Sequence, residues 1–221
     1  MANLTEKKVT CSTPQIIILL AEDGPHMREP ADGNTSKANL ADACIEDMIL
    51  TAQAANLGFR GFIHLLSIAR YGDSVLPLAE AQVPDEIELA VLTSTAEPGQ
   101  PNLDIALDWA VLALQLSLEK CRNVPLYDEA NSPPPLVALL CDPATLAPDL
   151  SNRLARLRDF PFQGGPVNVV TCAIGTVPSP PGDESLSSAA SSDTLNVAPS
   201  QLPECLAPVA GEGCFTEHDP R

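Results

Sequence analysis

An α/β fold built on an open, mostly parallel sheet is the architecture this sequence predicts. Three observations carry it. Short apolar runs rich in β-branched residues, residues 16–20 (IIILL) first among them, have no polar break and suit strands buried on both faces. These runs alternate with longer segments of helical period, the pattern of strands joined by crossover helices. An acidic turn with Gly24 and Pro25 ends the first run at the strand's carboxyl end, the edge where open α/β sheets bind ligands. The expected result is a Rossmann-like sheet with helices on both faces and one antiparallel edge strand.

Residues 15–27 (QIIILLAEDGPHM) are the first strand and its turn, and residues 28–35 (REPADGNT) are loop. Residues 36–56 read as a helix. Leu40, Cys44, Met48, Ala52 and Ala55 recur three and four apart, while Asp42, Glu46 and Gln53 take the other side. Thr35 or Ser36 is the N-cap, and Gly58 suits the left-handed position past the end. Residues 59–69 (FRGFIHLLSIA) are the second strand. The turn Arg70-Tyr71-Gly72-Asp73 is too short for a parallel crossover, so residues 74–78 should pair antiparallel. A short helix or strand is expected near residues 86–92, and residues 93–101 (TSTAEPGQP) have clear loop chemistry.

Residues 102–122 are the strongest helix, with Asn102 as N-cap and Lys120 and Arg122 in the last turn, where cations suit the dipole. Apolar residues cover most of its circumference, so it should be largely covered, with Trp109 as packing. Residues 135–141 (PLVALLC) are a third buried strand, ended by Asp142-Pro143. Residues 149–160 read as an amphipathic helix: Leu150, Leu154 and Leu157 lie on one side and Arg153, Arg156 and Arg158 on a solvated other. Residues 167–174 are a fourth buried strand.

From residue 176 the character changes. The segment is rich in Ser and Pro, has no periodicity, and carries seven acidic residues against one basic. Such a composition buries too little apolar area to offset chain entropy, so a disordered tail is expected, with Cys205-Leu206 and Cys214-Phe215 as candidate docking elements. The expected organisation is an extension over 1–14, a domain over 15–175 and the tail over 176–221.

The apolar fraction of 45% is enough for a core, and with 4% aromatics that core must be Leu, Ile, Val and Ala. A net charge of −17 argues against a nucleic-acid backbone or an anionic membrane as main partner and is compatible with a basic protein. No segment reaches the roughly 18 apolar residues of a membrane span. The N-terminus has no apolar signal region, so a cytoplasmic location is expected. Seven cysteines at wide spacings with no CxxC give little support to zinc, and Cys44, Cys141 and Cys172 read as buried reduced thiols. His64 lies inside a strand and reads as a core residue. No GxSxG, P-loop or HExxH occurs, and Gly164-Gly165 reads as a turn, so no enzyme activity and no catalytic residue is expected.

Four local patterns in order resemble a von Willebrand factor type A domain over residues 15–175. IIILLAEDGPHM resembles the family's first strand and metal loop, D-x-S-x-S-M. FIHLLSIARYGDSVLPL resembles its second strand and edge strand with Tyr-Gly-Asp at the turn. PNLDIALDWAVLAL resembles the T-x-L-x-x-A-L helix start, and PPPLVALLCDPATL the strand that ends in T-D-G. The likeness is greater to bacterial intracellular members. It implies a protein-interaction or scaffold module, by analogy alongside signalling or defence proteins.

In that family the loops above the sheet form a metal-ion-dependent adhesion site, where two carboxylates and three hydroxyls serve a hard divalent cation. Carried over residue by residue, the leading Asp falls on Glu22, and the two serines fall on Gly24 and His26. The loop Thr falls on Pro101, with Thr93 or Thr95 as substitutes under another alignment, and the last Asp falls on Asp142, followed by Pro143. All three hydroxyls are lost. The resemblance therefore implies a degenerate site with no cofactor and no metal. Glu22, Asp23, His26, Arg28, Pro101 and Asp142 become partner-binding loop residues. The alternative is a Mg2+ or Mn2+ module using Glu22 and Asp142, or a transition-metal site of Glu22, His26 and Asp142.

Overall fold

The computed structural model describes residues 7–32, 34–57, 59, 61–89, 100–145, 149–175 and 195–209. In chain order its strands are β1 (Gln15–Glu22), β2 (Pro30–Asp32), β3 (Thr35–Ser36), β4 (His64–Tyr71), β5 (Val75–Gln82), β6 (Leu136–Cys141), β7 (Asn168–Ala173) and β8 (Leu195–Val197). Its α-helices are α1 (Lys37–Asn56), α2 (Leu103–Arg122) and the single turns α3 (Leu150–Arg153) and α4 (Ala155–Arg158). The main sheet runs β5-β4-β1-β6-β7-β8, and only β5 is antiparallel to its neighbour. β2 and β3 form a separate antiparallel pair.

β1 is central, and all eight of its residues are buried. The pleat sends Ile17, Leu19 and Ala21 to the core beneath α1, and Ile16, Ile18 and Leu20 to the core beneath α2. Burial on both faces is why the run has no polar alternation. Ser36, not Thr35, caps α1: its Oγ accepts the Asn39 N–H at 3.2 Å. Asn102 caps α2, accepting the Ile105 N–H at 3.4 Å. Gly58 and the stretch 90–99 lie outside the described residues.

Five differences from the sequence reading have physical causes. β4 begins at His64 rather than residue 59, because Phe59 and Ile63 join Val9 and Ala207 in a small cluster below the sheet. β5 runs on past Pro77 to Gln82, since an outer strand can spare that missing donor. Of residues 86–92 the described ones end at Leu89, where Glu86 closes a 3-10 turn, Pro84–Glu86, and Leu89 again has 3-10 geometry. The helix expected over 149–160 is interrupted at Leu154, where Leu157 bonds back to the Leu154 carbonyl in an i→i+3 turn. α2 is not largely covered: α4 reaches one side of it, and Ile105, Leu112 and Leu116 are exposed.

The largest difference is in the expected tail. Residues 176–194 and 210–221, which include Cys214, lie outside the described residues. Residues 195–209 pack on the domain. β8 adds a parallel strand beside β7, and the 3-10 segment Pro199–Cys205 lies against α1 with Leu202 fully buried. The Cys44 thiol donates to the Pro199 carbonyl at 3.1 Å. Composition averaged over the whole tail hid the local apolar residues Leu202 and Leu206, which pack on the core beneath α1. The N-terminal extension is also drawn in: Val9 is fully buried and bridges Val209.

Candidate functional site at the carboxyl edge of the sheet

β1 ends at Glu22, and the chain turns through Asp23 and Gly24 into a 3-10 turn, Pro25–Arg28. β6 ends alongside, so Asp142 emerges next to Glu22. Glu22 Oε2 accepts the Asp142 backbone N–H at 3.1 Å and lies 2.7 Å from the Thr145 hydroxyl. Its other oxygen, Oε1, is buried with no hydrogen-bond partner. Loss of solvent raises the Glu22 pKa, and the Asp142 charge adds to that rise, against the two hydrogen bonds that favour the anion. The Thr145 Oγ also lies 2.7 Å from the Asp142 carbonyl oxygen. One hydroxyl proton thus faces two acceptors.

Asp142 is 4% exposed. Its Oδ1 accepts the Ala144 N–H at 2.8 Å, and its Oδ2 accepts from Lys37 Nζ at 2.5 Å. The same ammonium reaches Glu29 Oε2 at 3.1 Å, and Glu29 Oε1 lies 3.2 Å from His26 Nδ1. Burial works against the Lys37 charge, but the bonds to Asp142 and Glu29 outweigh it and raise the lysine pKa. Hydrogen bonds from Lys37 and His26 hold Glu29 below its usual value. Lys37 is the first residue of α1, and its stem lies on Gly175 just past β7. There a Cβ would come within 2.9 Å of Lys37 Cε, and a φ of +105° also favours glycine.

A second buried charge borders this cluster. Arg70 of β4 is 1% exposed, donates to Asp42 of α1, and feels the charge of Asp23. Burial lowers its pKa, and Asp23 opposes that shift.

The positions singled out in the sequence meet as expected in part. Glu22 and Asp142 are adjacent. Pro101 lies over Gly24: a Cβ on Gly24 would stand 2.8 Å from Glu22 Oε1 and 3.2 Å from Pro101 Cδ. The extra methylene of Glu22 therefore places its oxygen where a side chain at position 24 would have to go. His26 faces Glu29 rather than Glu22. Among the described residues, the donors whose ligand atoms gather within 4.8 Å are His26, Glu29 and Asp142, not Glu22, His26 and Asp142. Arg28 is exposed, and the substitutes Thr93 and Thr95 lie outside the described residues. The sequence reading missed Lys37, Glu29 and Arg70, and it placed Thr145 in a partner-binding loop over 142–145 without giving its hydroxyl a role. One signal for Lys37 was available, because a cation in the first helical turn opposes the dipole and asks for a nearby anion.

No family model matches the chain, and no curated protein matches it in sequence. Solved structures do. The SpRpn10 VWA domain is 14% identical with a TM-score of 0.56, over 87% of this chain and 93% of that one. The PilB minor pilin from Streptococcus sanguinis is 12% identical with a TM-score of 0.55, over 87% of this chain and 59% of that one. Proximal thread matrix protein 1 from the mussel byssus is 12% identical with a TM-score of 0.53, over 89% and 47%. The chain thus spans about half the length of the last two. Element order, sheet topology and these likenesses agree: the chain has a von Willebrand factor type A-like fold.

Proposed function

We propose that the chain is a non-enzymatic protein-interaction module whose loops at the carboxyl edge of the sheet work without a bound metal, the Lys37 ammonium supplying the positive charge of the site. The observation that carries this reading is the bridge from Lys37 Nζ to Asp142 Oδ2 at 2.5 Å and to Glu29 Oε2 at 3.1 Å. A divalent cation sharing Asp142 would have to displace a buried ammonium. The donor set points the same way, since magnesium asks for about six oxygens. Gly24, His26 and Pro101 offer no hydroxyl, and the Thr145 hydroxyl is turned to Glu22. The absence of a nucleophile beside either described histidine supports a non-catalytic role. Both ring nitrogens of His64 lack partners, and His26 faces Glu29. Of the loop residues in this reading, exposed His26, Arg28 and Glu29 with half-buried Pro101 form the partner surface, while buried Glu22, Asp23 and Asp142, with Lys37, hold the loops beneath it.

A metal-dependent module is the second reading, favoured by the gathering of His26, Glu29 and Asp142. Thermal melts and calorimetry with Mg2+, Mn2+ and Zn2+ separate the two. Millimolar Mg2+ or Mn2+ should leave the melting temperature unchanged, and affinity capture should recover the same partner with and without chelator. A metal-induced rise in melting temperature, or a partner lost on chelation, overturns the first reading in favour of the second.

A further inference from the structure

Three cysteines on three elements meet beneath the C-terminal segment: Cys44 of α1, Cys172 of β7 and Cys205 at the end of the 3-10 segment Pro199–Cys205. All three are buried and free, and they share one apolar cluster with Leu202. The Cys44 thiol donates to the half-buried Pro199 carbonyl at 3.1 Å. The Cys172 thiol is in turn hydrogen-bonded to Cys44. That bond holds the Cys44 thiol below its ordinary range and raises Cys172, with burial adding to the rise. The opposite directions make Cys172 the donor and Cys44 the sulfur that ionises first. Cys172 also pairs with Val197 of β8. Both cysteines therefore grip residues 195–209, Cys44 through its thiol proton and Cys172 through the sheet. Cys205 is turned elsewhere, its thiol 3.9 Å from the Gln201 carbonyl of its own turn.

We propose that Cys44 and Cys172 are a redox-responsive dithiol that closes to a disulfide under hydrogen peroxide and loosens the C-terminal segment. The Cys44 sulfur, as thiolate, attacks one peroxide oxygen. The O–O bond breaks, the leaving hydroxide takes up the proton that Cys44 gave, and Cys44 becomes a sulfenic acid. The Cys172 sulfur then attacks the Cys44 sulfur. The S–O bond breaks, and the hydroxyl leaves as water with the Cys172 proton. Two thiols lose two electrons, and one peroxide becomes two waters. In the disulfide, Cys44 has no proton to donate, so the Pro199 carbonyl loses its partner. The segment lies over both sulfurs, and β8 is a three-residue strand at the end of the sheet. The oxidant therefore gains access by a local opening of 195–209, not by global unfolding. The pair lies beneath α1 and takes no part in the Lys37 bridge, so the inference does not rest on the function proposed above.

The test treats the folded full chain with dilute hydrogen peroxide, alkylates the remaining thiols and maps the peptides without reduction. A Cys44–Cys172 disulfide should form, reverse with dithiothreitol, and speed protease cleavage within 195–209 about tenfold. Cys121, buried on the other face of the sheet, should stay reduced. Cys172→Ser should halt the reaction at a Cys44 sulfenic acid that a dimedone probe captures. Leu202→Ala, which frees the segment to lift, should hasten the disulfide. Melting curves establish that both variants are folded, and the wild-type map decides without them if they are not. No disulfide in the folded chain, a disulfide of either residue with Cys205, or a Cys44–Cys172 disulfide that leaves cleavage unchanged overturns the proposal. A folded Leu202→Ala chain that oxidises no faster than wild type, or a folded Cys172→Ser chain without the sulfenic acid, overturns it as well.

Discussion

Lys37 and Asp142, 105 positions apart in the chain, meet at 2.5 Å above the carboxyl edge of the sheet. Their side chains are 12% and 5% exposed, so this is a pair largely withdrawn from water. Removing one member of such a pair leaves an uncompensated charge, whereas removing both need not. Lys37→Met should cost about 3 kcal/mol of stability. Asp142→Asn placed on top of it should recover a large part of that loss. Urea denaturation of the two single variants and the double variant measures the coupling. A Lys37→Met cost below about 0.5 kcal/mol, the range of exposed ion pairs, would show that the bridge is a surface contact.

Glu22 and Gly24 are coupled by space. A Cβ at position 24 would stand 2.8 Å from Glu22 Oε1, nearer than side-chain atoms approach. Gly24→Ser alone should therefore destabilise by about 1–3 kcal/mol, as overpacking does. With Glu22→Asp, which withdraws the oxygen by one methylene, most of that cost should disappear. A double-mutant cycle with no interaction term would mean that the loop yields instead of the carboxyl.

The central strand and the two long helices were legible because their signals are local. An unbroken run such as IIILL states its own burial, and Asn102 and the leucines of α2 state their own helix. The ends of the first and third apolar runs marked Glu22 and Asp142, and the family resemblance added Pro101 to the same set of loops. What fills the space between them could not be read this way. Lys37 reads in sequence as a surface lysine after a capping serine, and nothing near it names Asp142 or Glu29. The role of the Thr145 hydroxyl, in a loop otherwise expected to bind a partner, escaped notice because the hydroxyls sought were those of positions 24, 26 and 101. Residues 195–209 were hidden for a different reason: a composition average says nothing about where a few apolar residues can dock.

Two buried groups should give stability opposite dependences on pH. The folded-state pKa of Glu22 is raised, above all by burial. Its contribution is fully present below the unfolded value, near 4.5, and is lost as pH rises through the folded value. Glu22→Gln should thus cost little at low pH and stabilise the protein relative to wild type at pH 8. Urea midpoints at pH 5 and pH 8 check this. A variant equally destabilised at both would show that the carboxylate form is the native one.

His64 runs the other way. Burial without a partner lowers its pKa from 6.5 to about 4. The unfolded chain binds the proton first, so the contribution is present above pH 6.5 and lost as pH falls through 4. The full loss is of the order of 3 kcal/mol. His64→Leu keeps the apolar contacts and removes the titration, so it should flatten the decline between pH 6.5 and 4. A variant whose acid decline matches wild type would assign that decline to other groups.

The last expected outcome concerns the C-terminal segment. Leu202 is fully buried between the 3-10 segment and the core beneath α1, where it packs with Cys44, Cys172 and Cys205. If residues 195–209 belong to the fold, Leu202→Ala opens a cavity and should cost about 2–4 kcal/mol. Ser200→Ala, at an exposed position in the same turn, should change stability by less than about 0.5 kcal/mol. Proteolysis supplies a second readout, since Leu202→Ala should speed cleavage within 195–209 before the rest of the chain is cut. Equal stability of the two variants would mean that the segment contributes nothing. The parallel edge would then end at β7, and the Cys44 thiol would lose the Pro199 carbonyl that it now meets.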